Sequence, residues 1–449
     1  MPIYLSPGVY VEETPSGSAP IAGVGTSVAA FIGTIVAQES SYFFSKVEGE
    51  NVGKGNGEQK FFDLKNSPVA LSGYTVKVGG VEQEDVELLN GEKTSQVSFN
   101  NAPELDQEIT VDYYLKQSVP KGEIKLCTNF SEFKNFFGDF LSPDGDTKGQ
   151  NTLAHAVYGF FRNGGTRCYV TWITDQSEIS GVLDDFEAID EITILVAPGS
   201  IDLRDDIKDH CEKMGDRVAV LDSEDTIDLS DADDVKKLTP FTSNYAALYF
   251  PWILVYDPAS NNNIYVPPSG YIAGVFARVD GQRGVHKAPG NETIFGALDL
   301  KYNLSKAKQD GLNPGGINCI RKLNGNIRIW GARTLGGDAN GEFKYINIRR
   351  QFCYLIDSID KGTQWTVFEP NDSELWAKIR RNISAFLTNE WRNGALFGTT
   401  PQEAFYVKCD AENNPQEVRD LGQVITEIGV AVIKPAEFVI FRLSQWSAS

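Results

Sequence analysis

Arg167-Cys-Tyr-Val-Thr-Trp-Ile173, Ile192-Thr-Ile-Leu-Val-Ala197 and Arg217-Val-Ala-Val-Leu221 are three short runs, each apolar almost throughout. Runs of this kind suit strands buried on both faces, whereas a half-exposed strand would alternate. Helical patterns separate them, one near 178–189 and an acidic one over 203–214. Upstream, 152–163 places Leu153, Val157, Phe160 and Phe161 on one side and stops at Gly164-Gly165, a C-terminal helix signal. Downstream, a further apolar strand is expected within 246–256. Helices alternating with buried strands predict a largely parallel α/β sheet covered on both faces.

Working outward, 22–37 reads as another buried strand. Residues 41–118 change character. Short alternating runs (Tyr74-Thr-Val-Lys-Val78, Gln96-Val-Ser-Phe99, Glu108-Ile-Thr-Val-Asp-Tyr113) lie between Gly79-Gly80, Asn90-Gly91 and Asn100-Asn101, the pattern of a small antiparallel β domain. Its 7 basic and 13 acidic residues suit an exposed insertion. The C-terminal half reads as α+β. Asn371-Asp-Ser373 caps a helix to about 388 with a stripe of Leu375, Ile379, Ile383, Phe386 and Leu387. Its opposite face carries Glu374, Lys378 and Arg381, with Arg380 flanking. Strands follow at 404–408 and 425–433, and the glycine- and proline-rich stretch 267–337 reads as ordered loops.

Both ends are strand-forming. Pro2-Ile-Tyr-Leu-Ser-Pro-Gly-Val-Tyr-Val-Glu-Glu13 offers Tyr4, Val9, Tyr10 and Val11. Glu437-Phe-Val-Ile-Phe-Arg-Leu443 sets Val439, Phe441 and Leu443 on one face and Phe438, Ile440 and Arg442 on the other. Termini are usually polar and fray, so apolar strand-forming ends need a partner, inside the monomer or on another chain. Gly17, Gly23, Gly25 and Gly429 stand near these ends as hinge candidates.

Pro7-Gly-Val-Tyr-Val-Glu-Glu13 and Pro20-Ile-Ala-Gly-Val-Gly-Thr-Ser-Val-Ala-Ala-Phe-Ile-Gly33 resemble the opening of the contractile tail sheath family. The resemblance continues through Phe160-Phe-Arg-Asn-Gly-Gly165, Pro267-Pro-Ser-Gly-Tyr-Ile-Ala-Gly274, Arg283-Gly-Val-His-Lys-Ala-Pro289 and Leu312-Asn-Pro-Gly-Gly-Ile-Asn318. It resumes at Trp330-Gly-Ala-Arg-Thr-Leu335, Phe368-Glu-Pro-Asn371 and Pro435-Ala-Glu-Phe-Val439, and residues 41–118 depart from it. It implies a sleeve subunit of a phage tail, tailocin or extracellular injection system. Such subunits stack as helical rings of one chain around an inner tube, join through exchanged terminal strands, and meet baseplate and cap proteins. Lys378, Arg380 and Arg381 would then face the tube. Assembly in the producing cell's cytoplasm, followed by release within a particle, is the implied course. A baseplate-proximal or non-contractile paralogue would share the pattern. The expected organisation is an N-terminal arm (1–22), an α/β sheath domain (23–40 and 119–249), the inserted β domain (41–118), an α+β domain (250–427) and a C-terminal arm (428–449).

Composition excludes several other classes. Residues 1–249 hold 19 Lys and Arg against 41 Asp and Glu, and residues 250–449 hold 22 against 20, so the net charge of −20 lies in the first half. Nucleic-acid binding needs clustered cations and is not expected. No apolar stretch reaches the roughly 20 residues of a membrane span, and no basic region precedes an apolar core at the N-terminus as in a secretory signal. Six scattered cysteines without a C-x-x-C pair read as reduced and buried. His155, His210 and His286 lie in separate segments, so no metal or cofactor site is expected. An α/β enzyme would place its site past the strand ends, at Asp175, Pro198-Gly-Ser200 or Asp222. Yet Asp202, Asp205 and Asp206 at the next helix start would repel a phosphate, and no glycine-rich phosphate loop follows a strand. Arg283, His286 and Lys287 form a basic knot, read as serving loop carbonyls and carboxylates at a packed corner.

Overall fold

The computed structural model describes residues 20–35, 43–67, 69–71, 73–91, 94–117, 119–140 and 150–442. Contacts divide the chain into two units, one of residues 25–353 with 434–449 and one of residues 1–24 with 354–433. The fold is mixed α/β and α+β, with an inserted antiparallel part.

The larger unit is built on an eight-stranded sheet in the order Asn326–Ile329, Ile317–Leu323, Ala246–Phe250, Val218–Asp222, Ile194–Val196, Ala29–Thr34, Cys168–Ile173, Lys125–Cys127. The six inner strands are parallel and the two edge strands antiparallel. Ala29 lies opposite both Cys168 and Ile194. Successive residues go to opposite faces, which explains why these strands are apolar throughout. Phe31, Val170, Val196 and Val220 enter one core with the helices Phe130–Phe137, Gln150–Arg162 and Ser269–Arg283. Ile32, Leu195, Ala219 and Leu221 enter the other with Ile179–Glu187 and Arg204–Met214.

The strand expected within 246–256 is Ala246–Phe250, in the large sheet, and a second strand follows it: Ile253–Asp257 joins a separate antiparallel sheet with Asn262–Val266 and Asp299–Leu300. Pro251 between them has no N–H to give to a ladder. Residues 267–337 are not mainly loops. They contain the helix Ser269–Arg283, which is buried nearly all round, and the strands Ile317–Leu323 and Asn326–Ile329. The helix was illegible because it has no polar face to set a period. Its glycines also mark contact with another helix instead of turns. A Cβ on Gly270 would lie 2.4 Å from the Ala156 carbonyl oxygen, and one on Gly274 2.4 Å from that of Phe160. Reciprocally, a Cβ on Gly159 would lie 2.3 Å from the Tyr271 ring.

The inserted stretch forms two antiparallel sheets. One has the order Phe43–Lys54, Glu108–Gln117, Thr75–Val78, Val81–Gln83, and the other Phe61–Asp63, Ser95–Phe99, Val86–Asn90. Their inner faces share a core of Phe62, Val76, Leu88, Val97, Val111 and Tyr113. Phe43 pairs with Gln117, so the chain arrives and departs side by side.

In the smaller unit, the helix Ser373–Arg392 is capped by Asp372, whose carboxylate accepts from Glu374 N and Leu375 N at 2.9 Å each. Leu375, Ile379, Ile383, Phe386 and Leu387 are buried in its core, with Ile21 and Leu396. Phe405–Lys408 and Glu427–Val430 form a two-stranded antiparallel sheet, Phe405 opposite Val430. The helix Ile346–Thr363 begins in the larger unit and ends in the smaller.

Glycine-to-alanine in an unhindered helix stabilises by about 1 kcal/mol. Gly281, exposed on the buried helix's last turn with nothing near its Cβ position, should follow that rule. Gly274→Ala should reverse it, destabilising by about 1–3 kcal/mol as overpacking against backbone does. Thermal melts of the two variants check this, and equal shifts would contradict the close helix contact.

Candidate assembly surface

Tyr4, Val9, Tyr10, Val11, Leu443 and Gly17 lie outside the described residues. The remaining strand-forming residues near the C-terminus do not fold away. Residues 434–442 form no strand among the described residues, and Phe438, Val439, Ile440 and Phe441 are 69%, 68%, 77% and 85% exposed. Four consecutive large apolar side chains in water are costly, since burying one is worth about 1.5–3 kcal/mol.

A second open feature is the sheet Phe405–Lys408/Glu427–Val430. It has two strands, and among the described residues neither outer edge pairs with a further strand. Beyond it the chain does continue into a bridge between Leu396 and Val432. None of its eight residues is fully buried, and Tyr406 is 53% exposed. Two strands alone are marginally stable, and an unpaired edge is a template for another strand. Gly429 is packed rather than free: a Cβ there would lie 2.1 Å from the Tyr406 ring across the ladder. Gly23 is equally hemmed in, its Cβ position lying 2.1 Å from the Tyr354 hydroxyl, whereas Gly25 has open space.

The cations of the capped helix differ in how committed they are. Lys378 pairs with Glu374 one turn earlier at 2.8 Å, Arg380 donates to the Cys409 carbonyl, and Arg381 is exposed. In the basic knot, Lys287 donates to the Ala288 carbonyl and faces Glu292 at 3.7 Å, while the His286 carbonyl accepts from Asn347 at 2.8 Å.

The carboxylates at the strand ends are structural. Asp175 caps the short turn Gln176–Glu178, accepting from Ser177 N at 2.8 Å and from its hydroxyl, which holds its acid below the usual range. Asp222 is buried and accepts from Gly199 N (3.0 Å), Ser269 N (2.8 Å) and Ser269 Oγ (2.5 Å). Burial pushes its pKa up to about 6 despite those donors. It therefore serves the first turn of Ser269–Arg283 from 47 residues away, a role with no local sequence signal. His155, Asp257 and Ser260 assemble a triad-like set that does not have triad geometry. Ser260 Oγ donates to Asp257 at 2.7 Å, not to His155, and His155 contacts the same carboxylate at 3.2 Å with its basicity lowered by burial.

With an open two-stranded sheet, an exposed apolar segment and the strand-end carboxylates Asp175 and Asp222 committed to internal bonds, the described residues define a multi-domain α/β chain without an assembled reaction centre among them. Residues 176–335 match the family model of the phage tail sheath protein central domain, and residues 338–445 that of the phage tail sheath C-terminal domain, together more than half the chain. The chain belongs to the phage tail sheath family. It is 29% identical over 204 residues to the tail sheath protein of Vibrio phage KVP40, covering 44% of this chain and 29% of that one. It is 26% identical over 238 residues to a putative prophage major tail sheath protein of Pseudomonas aeruginosa, covering 51% and 58%. The matched stretches thus span less than two thirds of these relatives. In fold it is similar to the sheath of the extracellular contractile injection system PVC in its contracted state, with a TM-score of 0.66, 24% identity and 99% of both chains covered. The contracted helical sheath of the anti-feeding prophage gives 0.64, 24%, 99% and 100%.

Removing the Asp222 carboxylate leaves three donors without an acceptor. Asp222→Ala should destabilise the chain by about 2–4 kcal/mol, the cost of unmet buried groups, with Asp222→Asn closer to wild type. Denaturant melts measure it; an unchanged midpoint for the alanine variant would contradict the capping role.

Proposed function

We propose that this chain is the polymerising subunit of a contractile sheath, joined to its neighbours by strand addition on the sheet Phe405–Lys408/Glu427–Val430. What carries the reading is one chain displaying both an open two-stranded sheet and an exposed apolar segment, Phe438–Phe441, able to complete it. Main-chain hydrogen bonds then supply affinity and alternate side chains supply specificity. Template and added segment belong to different places on one surface, so the contact is heterologous and propagates into helical stacks of rings. The N-terminal arm, with Tyr4, Val9, Tyr10 and Val11, is the proposed counterpart at the other edge.

Contraction in this reading is a rigid-body rearrangement in which strand ladders persist while side-chain contacts are remade. The helix face with Lys378, Arg380 and Arg381 is the proposed contact with an inner tube, Arg381 being the exposed cation. Baseplate and cap proteins would close the two ends, and assembly would take place in the producing cell's cytoplasm. The proposed division is arm 1–22, α/β domain 23–40 and 119–249, insertion 41–118, α+β domain 250–427 and arm 428–449, with Ile317–Leu323 and Asn326–Ile329 lending strands to the large sheet and Glu427–Val430 to the two-stranded one. No catalytic role is proposed for any residue.

Deleting residues 438–449 should abolish sleeves while leaving the monomer's melting temperature unchanged. A short strand contributes several hydrogen bonds of about 0.5–1.5 kcal/mol each, so a loss of ~3 kcal/mol weakens each contact roughly a hundredfold. Electron microscopy of concentrated protein reads the result; normal sleeves from the truncated chain would sink the proposal. The insertion should be dispensable. Because Phe43 and Gln117 are paired neighbours, a short Gly-Ser linker can replace residues 41–118, and the variant should still polymerise. A folded deletion variant that fails to form sleeves would make the insertion part of the wall.

A further inference from the structure

The exposed C-terminal segment starts immediately after an unusually complete carboxylate socket. Glu437 Oε1 accepts from Arg333 Nε and Asn313 Nδ2, and its Oε2 accepts from Arg333 Nη2 and the Tyr345 hydroxyl, all at 2.8 Å. Two donors on each oxygen, two of them from one guanidinium fork, fill every acceptor site. The socket is buried and braced. Arg333 is 3% exposed, and its backbone is held on both sides by Asn318, which accepts from Arg333 N at 2.7 Å and donates to its carbonyl at 2.8 Å. Four residues further on, side-chain exposure reaches 85% at Phe441. The change from held to open therefore falls at Glu437.

The other end of the larger unit is held in the same manner. Arg350 donates to the Thr26 carbonyl at 2.9 Å and to both oxygens of Asp280, at 3.0 and 2.5 Å, while the Thr26 hydroxyl donates to Asp280 at 2.7 Å. Arg350 and Asp280 are 3% and 5% exposed. Buried ion pairs add little net stability over apolar packing, so their value lies in fixing a geometry. Arg333, Tyr345 and Arg350 all belong to one stretch, in which Arg333 and Tyr345 are bridged and Arg350 lies on the helix that begins at Ile346.

We propose that residues 333–350 form an arm-root module, seating the chain at Thr26 and at Glu437 so that the segment beyond Glu437 reaches a second copy of this chain from a fixed point. This rests on the strand-addition reading above and adds to it: the arm's origin is set by a carboxylate socket, and Glu437 and Arg333 are positioning residues for assembly. A mobile origin would oblige each contact to order the segment anew, at a cost in entropy for every residue fixed.

The test uses the full-length chain. The six native cysteines are all buried, so spin labels at Lys322→Cys and Ile440→Cys report the distance from the body to the arm's first residues in the monomer. The native protein should give one narrow distance distribution. Glu437→Gln, of equal size, and Arg333→Lys, which keeps the charge without the fork, should each widen it at least twofold. On the unlabelled background the same two variants should raise the concentration needed for polymerisation at least tenfold, with Glu437→Asp intermediate. A melting curve confirms that each variant is folded, and if Glu437→Gln is not, Arg333→Lys supplies the same reading. A broad distribution in the native chain would overturn the proposal. So would a folded variant with native width and a native polymerisation threshold. Normal polymerisation of the chain lacking residues 438–449 would instead overturn the strand-addition reading, leaving the socket as a structural clamp.

Discussion

An unpaired β-edge is a template for a further strand, and among the described residues the sheet of Phe405–Lys408 with Glu427–Val430 pairs with no further strand on either side. Two strands cannot hold themselves rigid in water. This pair is braced instead by its own unit: Ala431 N donates to the Ala404 carbonyl at 2.8 Å, Phe397 N to the Ala431 carbonyl at 2.7 Å, and Tyr406 to Glu427 at 2.7 Å. The capped helix Ser373–Arg392 packs beneath it through the core that includes Phe386, Leu387 and Ala404. The unit thus presents a prepared edge rather than a frayed one, and under the proposed strand addition the main chain added there would bind with little further ordering.

The larger unit supplies the opposite property. Its central sheet is buried on both faces, its edge strands are antiparallel closures, and the helices Gln150–Arg162 and Ser269–Arg283 approach closely at Gly159, Gly270 and Gly274. Such a body tolerates rotation as a whole far better than internal deformation, because close-packed interiors resist gradual change. Under the proposed contraction, a subunit that changes its packing without unfolding would need that combination of stiff body and replaceable edge contacts.

The α/β alternation was legible because strands buried on both faces lose their polar alternation, and Cys168–Ile173, Ile194–Val196 and Val218–Asp222 each kept that mark. The capped helix was legible from Asp372 and a regular stripe. What escaped reading had a physical reason in each case. Gly270 and Gly274 look like turn residues until a second helix is laid against them, and a helix buried all round shows no period. The pairing of Glu437 with Arg333 spans 104 residues, and Asp222 serves Ser269 across 47, so no local window holds both partners. The run Phe438–Phe441 was legible as strand-forming, but whether its partner lies inside the monomer or on another chain was left open by the sequence.

Amide hydrogen exchange on monomer and polymer, compared residue by residue, tests the central claim most directly. If strands are added across subunits, polymerisation should slow exchange at Phe405–Lys408, Glu427–Val430 and residues 438–442 together, since these are the groups that gain partners. Polymers that form while all three segments exchange as fast as in the monomer would contradict the account.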